Sequence, residues 1–513
     1  MLCRLPLTLC LLLLAGLPWP PSAVAQSDAA GTNTCLNCHA TKQRGFIAGH
    51  AFAAEACVIC HAGDAAATLE DAAHAGLIAF PGELANAQQV CGSCHADRVY
   101  SVTAGLMHLG RGMVQVTRQA LDEPIGPDHE LNLQSLGHGV ADSMLRKQCA
   151  SCHIGRTKTE HRHNVMWDRG GGCLACHVND YPEDAHPALT ASVSDARCFG
   201  CHSRSGRISL SYTGLAEANS AALKLPDGRP VERMPADVHY QAGMSCIDCH
   251  TGDGLMGAAG DALHQRQAVD ITCADCHAVA GPNSTTQKND TPLSHVEVRD
   301  DGSLLHTKIT GTVLRIPAVG SAFHEQDQDH DRLMCSTCHS QWAPQCFGCH
   351  MEYDVDGEQW DHLDRKLTPG RWSDRSWDMR NTLAALGVNT DDKIELFVPG
   401  MIMTVAHPDY EEDKFVRMFA PLSPHTTGKS RSCESCHRSS EALGLGQGKL
   451  TSESGEMHFE PANALRQDGL PADAWTNIGN SLGGRAPFPG QRPLNKAEMK
   501  AIVDAVIPGD SVQ

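Results

Sequence analysis

The cysteines of this chain are spaced so regularly that few folds remain open to it. Of its 24 cysteines, Cys3 and Cys10 lie in an apolar leader, and the other 22 form eleven C-x-x-C pairs, each followed at once by histidine. The triplets are Cys35/Cys38/His39, Cys57/Cys60/His61, Cys91/Cys94/His95, Cys149/Cys152/His153, Cys173/Cys176/His177 and Cys198/Cys201/His202. They continue with Cys246/Cys249/His250, Cys273/Cys276/His277, Cys335/Cys338/His339, Cys346/Cys349/His350 and Cys433/Cys436/His437. With 29 histidines in 513 residues, 11 × 29/513 gives about 0.6 such coincidences by chance. A disulfide framework would not require the histidine, and neither would a zinc site built on paired cysteines. A redox C-x-x-C would not recur eleven times.

C-x-x-C-H is the attachment signature of c-type haem. Cysteines at i and i+3 share one face of a helical turn, so both sulfurs reach the two vinyl groups of one porphyrin. The histidine that follows then stands beneath the iron as its proximal ligand. Eleven covalent haem c groups are therefore expected. On these motifs, which span residues 35–437, the chain resembles the multihaem c-type cytochromes of bacterial respiration and extracellular electron transfer. That resemblance implies a chain of haems passing electrons between a respiratory donor and a distant acceptor. The implied partners are redox proteins, such as a quinol-oxidising membrane cytochrome or an outer-membrane conduit.

Eleven proximal histidines leave eighteen others, enough for a second axial ligand on every iron. His50 and His239 stand seven residues before a motif, His425 eight, His264 nine, His163 ten, His138 and His324 eleven, and His186 twelve. His74, His108 and His362 follow their nearest motif by twelve or thirteen. These eleven are the first-rank distal ligands; His129, His161, His295, His306, His330, His407 and His458 are reserves. Bis-histidine ligation fills the iron, favours electron exchange over substrate binding, and sets a lower potential than methionine would.

Residues 1–25 read as a secretory signal, with Arg4 as its positive start, Leu5 to Trp19 as its apolar run and Ala23-Val24-Ala25 as its cleavage site. No later apolar run reaches the roughly 18 residues of a membrane span, so the expected location is the periplasm or the cell surface. The aromatic share is only 5% and the hydrophobic share 41%, lean for this length, so something besides side chains must supply core. The 488 residues beyond the signal leave 488/11, about 44 per motif, too few to wall the haems apart. The expected fold is mainly short α-helices and loops wrapped around a haem array, with few β-strands. Residues 26–362 would hold haems one to ten, and 363–513 haem eleven with a haem-free tail.

Finer expectations follow. A helix is expected near Gly214 to Lys224, and a β-hairpin over His295 to Ile316 through Asp300-Asp301-Gly302. A final helix is capped by Asn495 and striped with Met499, Ile502, Val503, Val506 and Ile507. Cys349 follows Cys338 by only eleven residues, which places haems nine and ten nearly in contact.

The formal charge of −19 argues against a nucleic-acid partner. Three functions remain in view. The first is an electron relay with no catalytic residue. The second is self-association into an extracellular cytochrome filament, through a contact that does not close. The third is a multihaem reductase of a small nitrogen or sulfur oxyanion at a five-coordinate haem. No motif departs from C-x-x-C-H in the way a marked catalytic haem often does, which favours the relay.

Overall fold

The computed structural model describes residues 33–40, 50, 56–158, 169–180, 186–203, 208–257, 260, 262–278, 281–300, 302–317, 319, 328–375, 378–453 and 455–507. The signal segment 1–25, His161, His163 and His324 lie outside them.

From residue 33 to about 340 the chain runs through one-turn helices, loops and short strand pairs. The longer helices have clear causes. In Arg111–Ala120, Val114, Thr117 and Ala120 recur every three residues and are buried together, which makes one apolar stripe. Gly110, with φ 61°, ends the preceding turn and starts this helix. The cores here are small: Leu84, Ala87 and Val99 form one, and Leu210, Leu225 and Val231 another.

The segment from Gly214 to Lys224 is not helical. Leu215–Glu217 pairs antiparallel with Val231–Arg233, and burial of Leu210, Leu225 and Val231 in one cluster outweighs local helical preference. The 295–316 segment forms a three-stranded antiparallel ribbon, Val296–Glu297, Leu304–His306 and Val313–Arg315.

Residues 343–421 overturn the expectation of few strands. Here lie β1 (Ala343–Phe347), β2 (Cys349–Asp361), β3 (Lys366–Asp374), β4 (Asp378–Thr382), β5 (Ala385–Val388), β6 (Ile394–Ala406) and β7 (Lys414–Pro421), with β8 (Arg492–Pro493) added later. Six of them form one mixed sheet in the order β3-β2-β6-β5-β8, with β7 also on β6. The β2–β6 pair is parallel and the others antiparallel. Strand β6 buries Glu395 to Pro399 without a break, as a strand covered on both faces does. Its physical reason is a side-chain core that needs no haem. Trp475 stacks on Phe419 with ring centres 5.2 Å apart and lies 4.6 Å from Phe397. Gly387 is required there, because a β-carbon would fall 2.3 Å from Trp475 and 2.7 Å from Phe397.

The final helix, Lys496–Asp504, is capped by Asn495 in a capping box with Glu498. Met499, Ile502 and Val503 pack into the cluster of Leu386, Leu396, Leu443 and Leu494, and Ile507 is buried, while Val506 is exposed. The two halves share one further core: Ala120, Leu121, Val140, Ala141 and Met144 meet Met351, Trp372, Met403, Val405, Val416 and Met418. Beside it the buried Arg146 donates to Asp361 at 2.7 Å and to Asp364. Among the described residues no helix is long and apolar enough to cross a membrane.

Candidate functional site

Most C-x-x-C-H motifs close a single helical turn, because the histidine backbone N–H donates to the carbonyl of the first cysteine. This bond is 2.9 Å at His39, 2.9 Å at His61, 2.8 Å at His95, 3.1 Å at His177, 3.0 Å at His250 and 2.9 Å at His437. Two turns are reinforced from within the motif. Asp248 and Asp275, the residues just before the second cysteines, accept from the backbone N–H of Ser245 (2.8 Å) and Thr272 (2.7 Å), completing capping boxes.

The second cysteines of the motifs differ in exposure. Cys38 and Cys94 are exposed, and the Ser93 hydroxyl donates to Cys94 Sγ at 3.8 Å. The side-chain core of Leu84, Ala87 and Val99 takes in Cys91 but not Cys94, so the third motif turns one sulfur inward and one outward. Cys436 is half-buried, and it packs against the sheet-side cluster of Ala442, Leu443 and Met499 rather than against another motif. The cause there is local: the eleventh motif sits on a side-chain core that already supplies its cover. Cys273, Cys335 and Cys433 are also exposed, although Cys273 and Cys335 meet each other.

The tenth motif is different. Cys346 lies in β1 opposite Met379, and Cys349 and His350 lie in β2 opposite Met403 and Thr404. Gly348, with φ 80°, turns the chain between them, and the Cys346 and Cys349 side chains still meet. Instead of the usual helical bond, Gly348 N–H donates to the Ile402 carbonyl at 2.8 Å. The link from the ninth motif to Cys346 ends in the extended strand β1.

The histidines sort into pairs. Proximal rings face second rings with centres 6.2 Å apart at His39–His74, His95–His50, His61–His186 and His250–His425. The separation is 6.1 Å at His277–His239 and 6.0 Å at His437–His330. An iron bound at about 2 Å by two imidazole nitrogens, each about 1.2 Å from its ring centre, requires a separation of about 6.3 Å. A van der Waals stack would be closer. Residues present therefore fit a haem iron between them at these six positions.

The outer ring nitrogens supply a second, independent test. Nδ1 of His61 bonds the Ile78 carbonyl (2.8 Å), that of His177 Thr190 (2.9 Å), that of His339 Gly428 (3.1 Å) and that of His437 Ile502 (2.6 Å). Among the second histidines, Nδ1 of His186 bonds Pro187 O (2.9 Å), that of His239 Asp237 (2.8 Å) and that of His425 Ser423 O (2.8 Å). Such a bond fixes the tautomer and leaves Nε2 free for metal. His425 is held in left-handed backbone, φ 54°, a conformation seldom kept without a reason. Burial, helped by nearby His425 and His202, lowers the pKa of His250 to about 4, so its ring stays neutral and able to ligate.

Other positions do not pair in this way. His108 and His153 stack at 5.1 Å, His153 Nε2 bonds the His108 carbonyl, and Gln134 reaches both ring nitrogens of His108. His264 lies 4.4 Å from Phe488, His138 is exposed, and His362 is enclosed with Nδ1 lacking a hydrogen bond. Burial, with Arg156 near it, lowers the His362 pKa to about 4. Among the reserves, His295 and His306 bond through Nε2 to Asp248 O and Glu297, and His129 and His458 are exposed. His407 stacks on Trp372 and Tyr353.

Nearness in sequence does not give the facing histidine. His50, His239 and His425 precede motifs two, seven and eleven, yet face His95, His277 and His250. His330, a reserve, faces His437 across 107 residues of sequence; its five-residue distance from Cys335 was the only local signal. Among the described residues no three of His, Cys, Asp or Glu gather as a bare metal-ion site. The chain matches no protein-family model, no curated protein and no solved structure.

Proposed function

We propose that this chain is an exported multihaem cytochrome that binds eleven haem c groups and relays electrons through them. Its donor would be a respiratory redox protein and its acceptor a periplasmic or extracellular one. The six ring pairs at 6.0–6.2 Å carry this reading, because no packing preference of imidazoles requires that gap. Each haem, when bound, supplies a one-electron iron couple. The motif cysteines tether its edge, and the paired histidines fill both axial positions. Nδ1 bonds hold the rings of His61, His186, His239, His425 and His437 in place, and burial lowers the pKa of His250, His277 and His425. Two nitrogen ligands favour the lower range of haem potentials.

Intact-mass measurement of the purified protein tests the count, with eleven haem masses expected above the polypeptide. The pairing is tested by His425→Ala. It should convert one low-spin ferric haem to high spin in electron paramagnetic resonance, with no haem lost. A normal spectrum would remove His425 from the ligand set.

A reductase is favoured by one observation, the stacked His108 and His153 at the fourth motif. If His108 stays on Gln134 in the loaded protein, that iron is the position open to a small oxyanion. A stoichiometric high-spin signal in the unmodified protein, abolished by Cys149→Ala/Cys152→Ala, would select this reading.

A further inference from the structure

We infer that the haem array is branched and out of sequence order: its line runs through motifs one, two, three, five, six, seven, eight and nine, and motif four hangs from motif six as a side branch. This rests on the haem-carrying reading above. A thioether sulfur sits at the porphyrin edge, so two motifs whose sulfurs touch hold their haems edge to edge.

Side-chain contacts, and cysteines near enough to act on one another electrostatically, trace that line. Cys35 and Cys57 bond through their side chains, and Cys60 stands within electrostatic reach of Cys91. Cys91 bonds not with the fourth motif but with Cys173 of the fifth. The backbone repeats this connection: Cys173 N–H donates to Gly82 O at 2.8 Å, just before the helix Leu84–Val90 that leads into the third motif. Cys176 then neighbours Cys198, and Cys198 bonds Cys246. The sixth motif's Asp195 also accepts from Cys246 N–H at 2.9 Å. Cys249 neighbours Cys276, and Cys273 bonds Cys335.

Of the fourth motif's two cysteines, only Cys152 meets a cysteine of another motif. Cys201 Sγ donates to the Cys152 carbonyl at 3.3 Å, and their side chains meet. Its other cysteine, Cys149, packs into Val114, Leu131, Leu133, Leu136 and Leu145, an apolar end that holds no second motif. The sixth motif is thus a junction touching the fourth, fifth and seventh.

Anomalous diffraction at the iron edge from crystals of the loaded protein tests this directly. Eleven peaks are expected, with iron four nearest iron six and irons three and five adjacent. Eleven peaks with iron four between irons three and five would overturn the branch. Fewer peaks would instead count against the haem-carrying reading. Two variants give a functional arm, each first shown by mass to carry ten haems. In reduction by a protein donor, Cys173→Ala/Cys176→Ala should split the haems into two kinetic pools, and Cys149→Ala/Cys152→Ala should leave one. Division in the latter, or none in the former, overturns the order.

Discussion

Residues 33–340 and 343–507 solve the same problem, what to put in the middle, by different means. The first stretch holds nine motifs but gathers its buried side chains into groups as small as Leu293, Val296 and Leu305. The second holds two motifs and buries Phe397, Phe419, Trp475, Leu396, Leu443 and Leu494 in a sheet-based core. Burying apolar surface contributes about 25 cal/mol per Å², so clusters of three residues cannot order some 300 residues against chain entropy. On the haem-carrying reading proposed above, the first stretch would take the rest of its core from its cofactors. The second is built to stand on side chains.

The sharpest way to break this contrast is to withhold haem. Produced without haem attachment and treated with protease at low dose, the chain should lose residues 33–335 and retain a fragment near 343–507, read by mass spectrometry. Uniform digestion would show that the sheet also depends on haem.

Trp475→Ala should act in the opposite sense. Removing a fully buried tryptophan costs about 3–5 kcal/mol, and the loss should fall on the sheet. The expected outcome is a lower melting temperature for the β-rich transition with all haems still bound. Haem loss from the first stretch would show that the two cores are not separable.

Arg146→Ala probes the seam. Arg146 and Asp361 are both buried, and removing one member of such a pair costs about 3 kcal/mol by leaving a buried charge alone. The two unfolding transitions should move apart in calorimetry, because the contact between β2 and the helix Val140–Met144 loosens. A single transition, merely shifted, would mean that the shared core of Met144, Trp372 and Met403 couples the halves without it.

The same contrast decides what could be read from sequence. Motif positions and the capped last helix were legible because each depends on residues within a few positions of one another. The histidine pairs were not: His250 and His425 are 175 residues apart, and imidazoles at equal distances from a motif look alike. The sheet carries a visible signal in the sequence. Lys414–Pro421 alternates Phe415, Arg417 and Phe419 with Val416, Met418 and Ala420, and Ile394–Val398 is an almost unbroken strand-forming run. The strand setting of the tenth motif had no such signal, because C-x-x-C-H spacing implies a helical turn and only the bonding partners of Gly348 replace it. Nor does the motif say which way its second sulfur turns: Cys94 and Cys436 occupy the same place in identical spacings, yet one is exposed and the other packs on Leu443.

The smallest expected effect concerns the last helix and separates its electrostatics from its packing. Burial would raise the Glu498 pKa, but hydrogen bonds from Arg492, from the Asn495 backbone and from Arg332 outweigh it and bring it to about 2. A carboxyl held below its unfolded value of about 4.3 stabilises the fold above that pH. The contribution fades as pH falls from about 4.3 through 2. Glu498→Gln should therefore cost about 1 kcal/mol at pH 7, a figure kept small by solvent screening and consistent with a capping-box partner. The melting-temperature difference between the two proteins should shrink on going from pH 7 to pH 3. A difference that stays constant would assign the effect to the Asn495 cap geometry, and leave the packing of Met499, Ile502 and Val503 to hold the helix on the sheet.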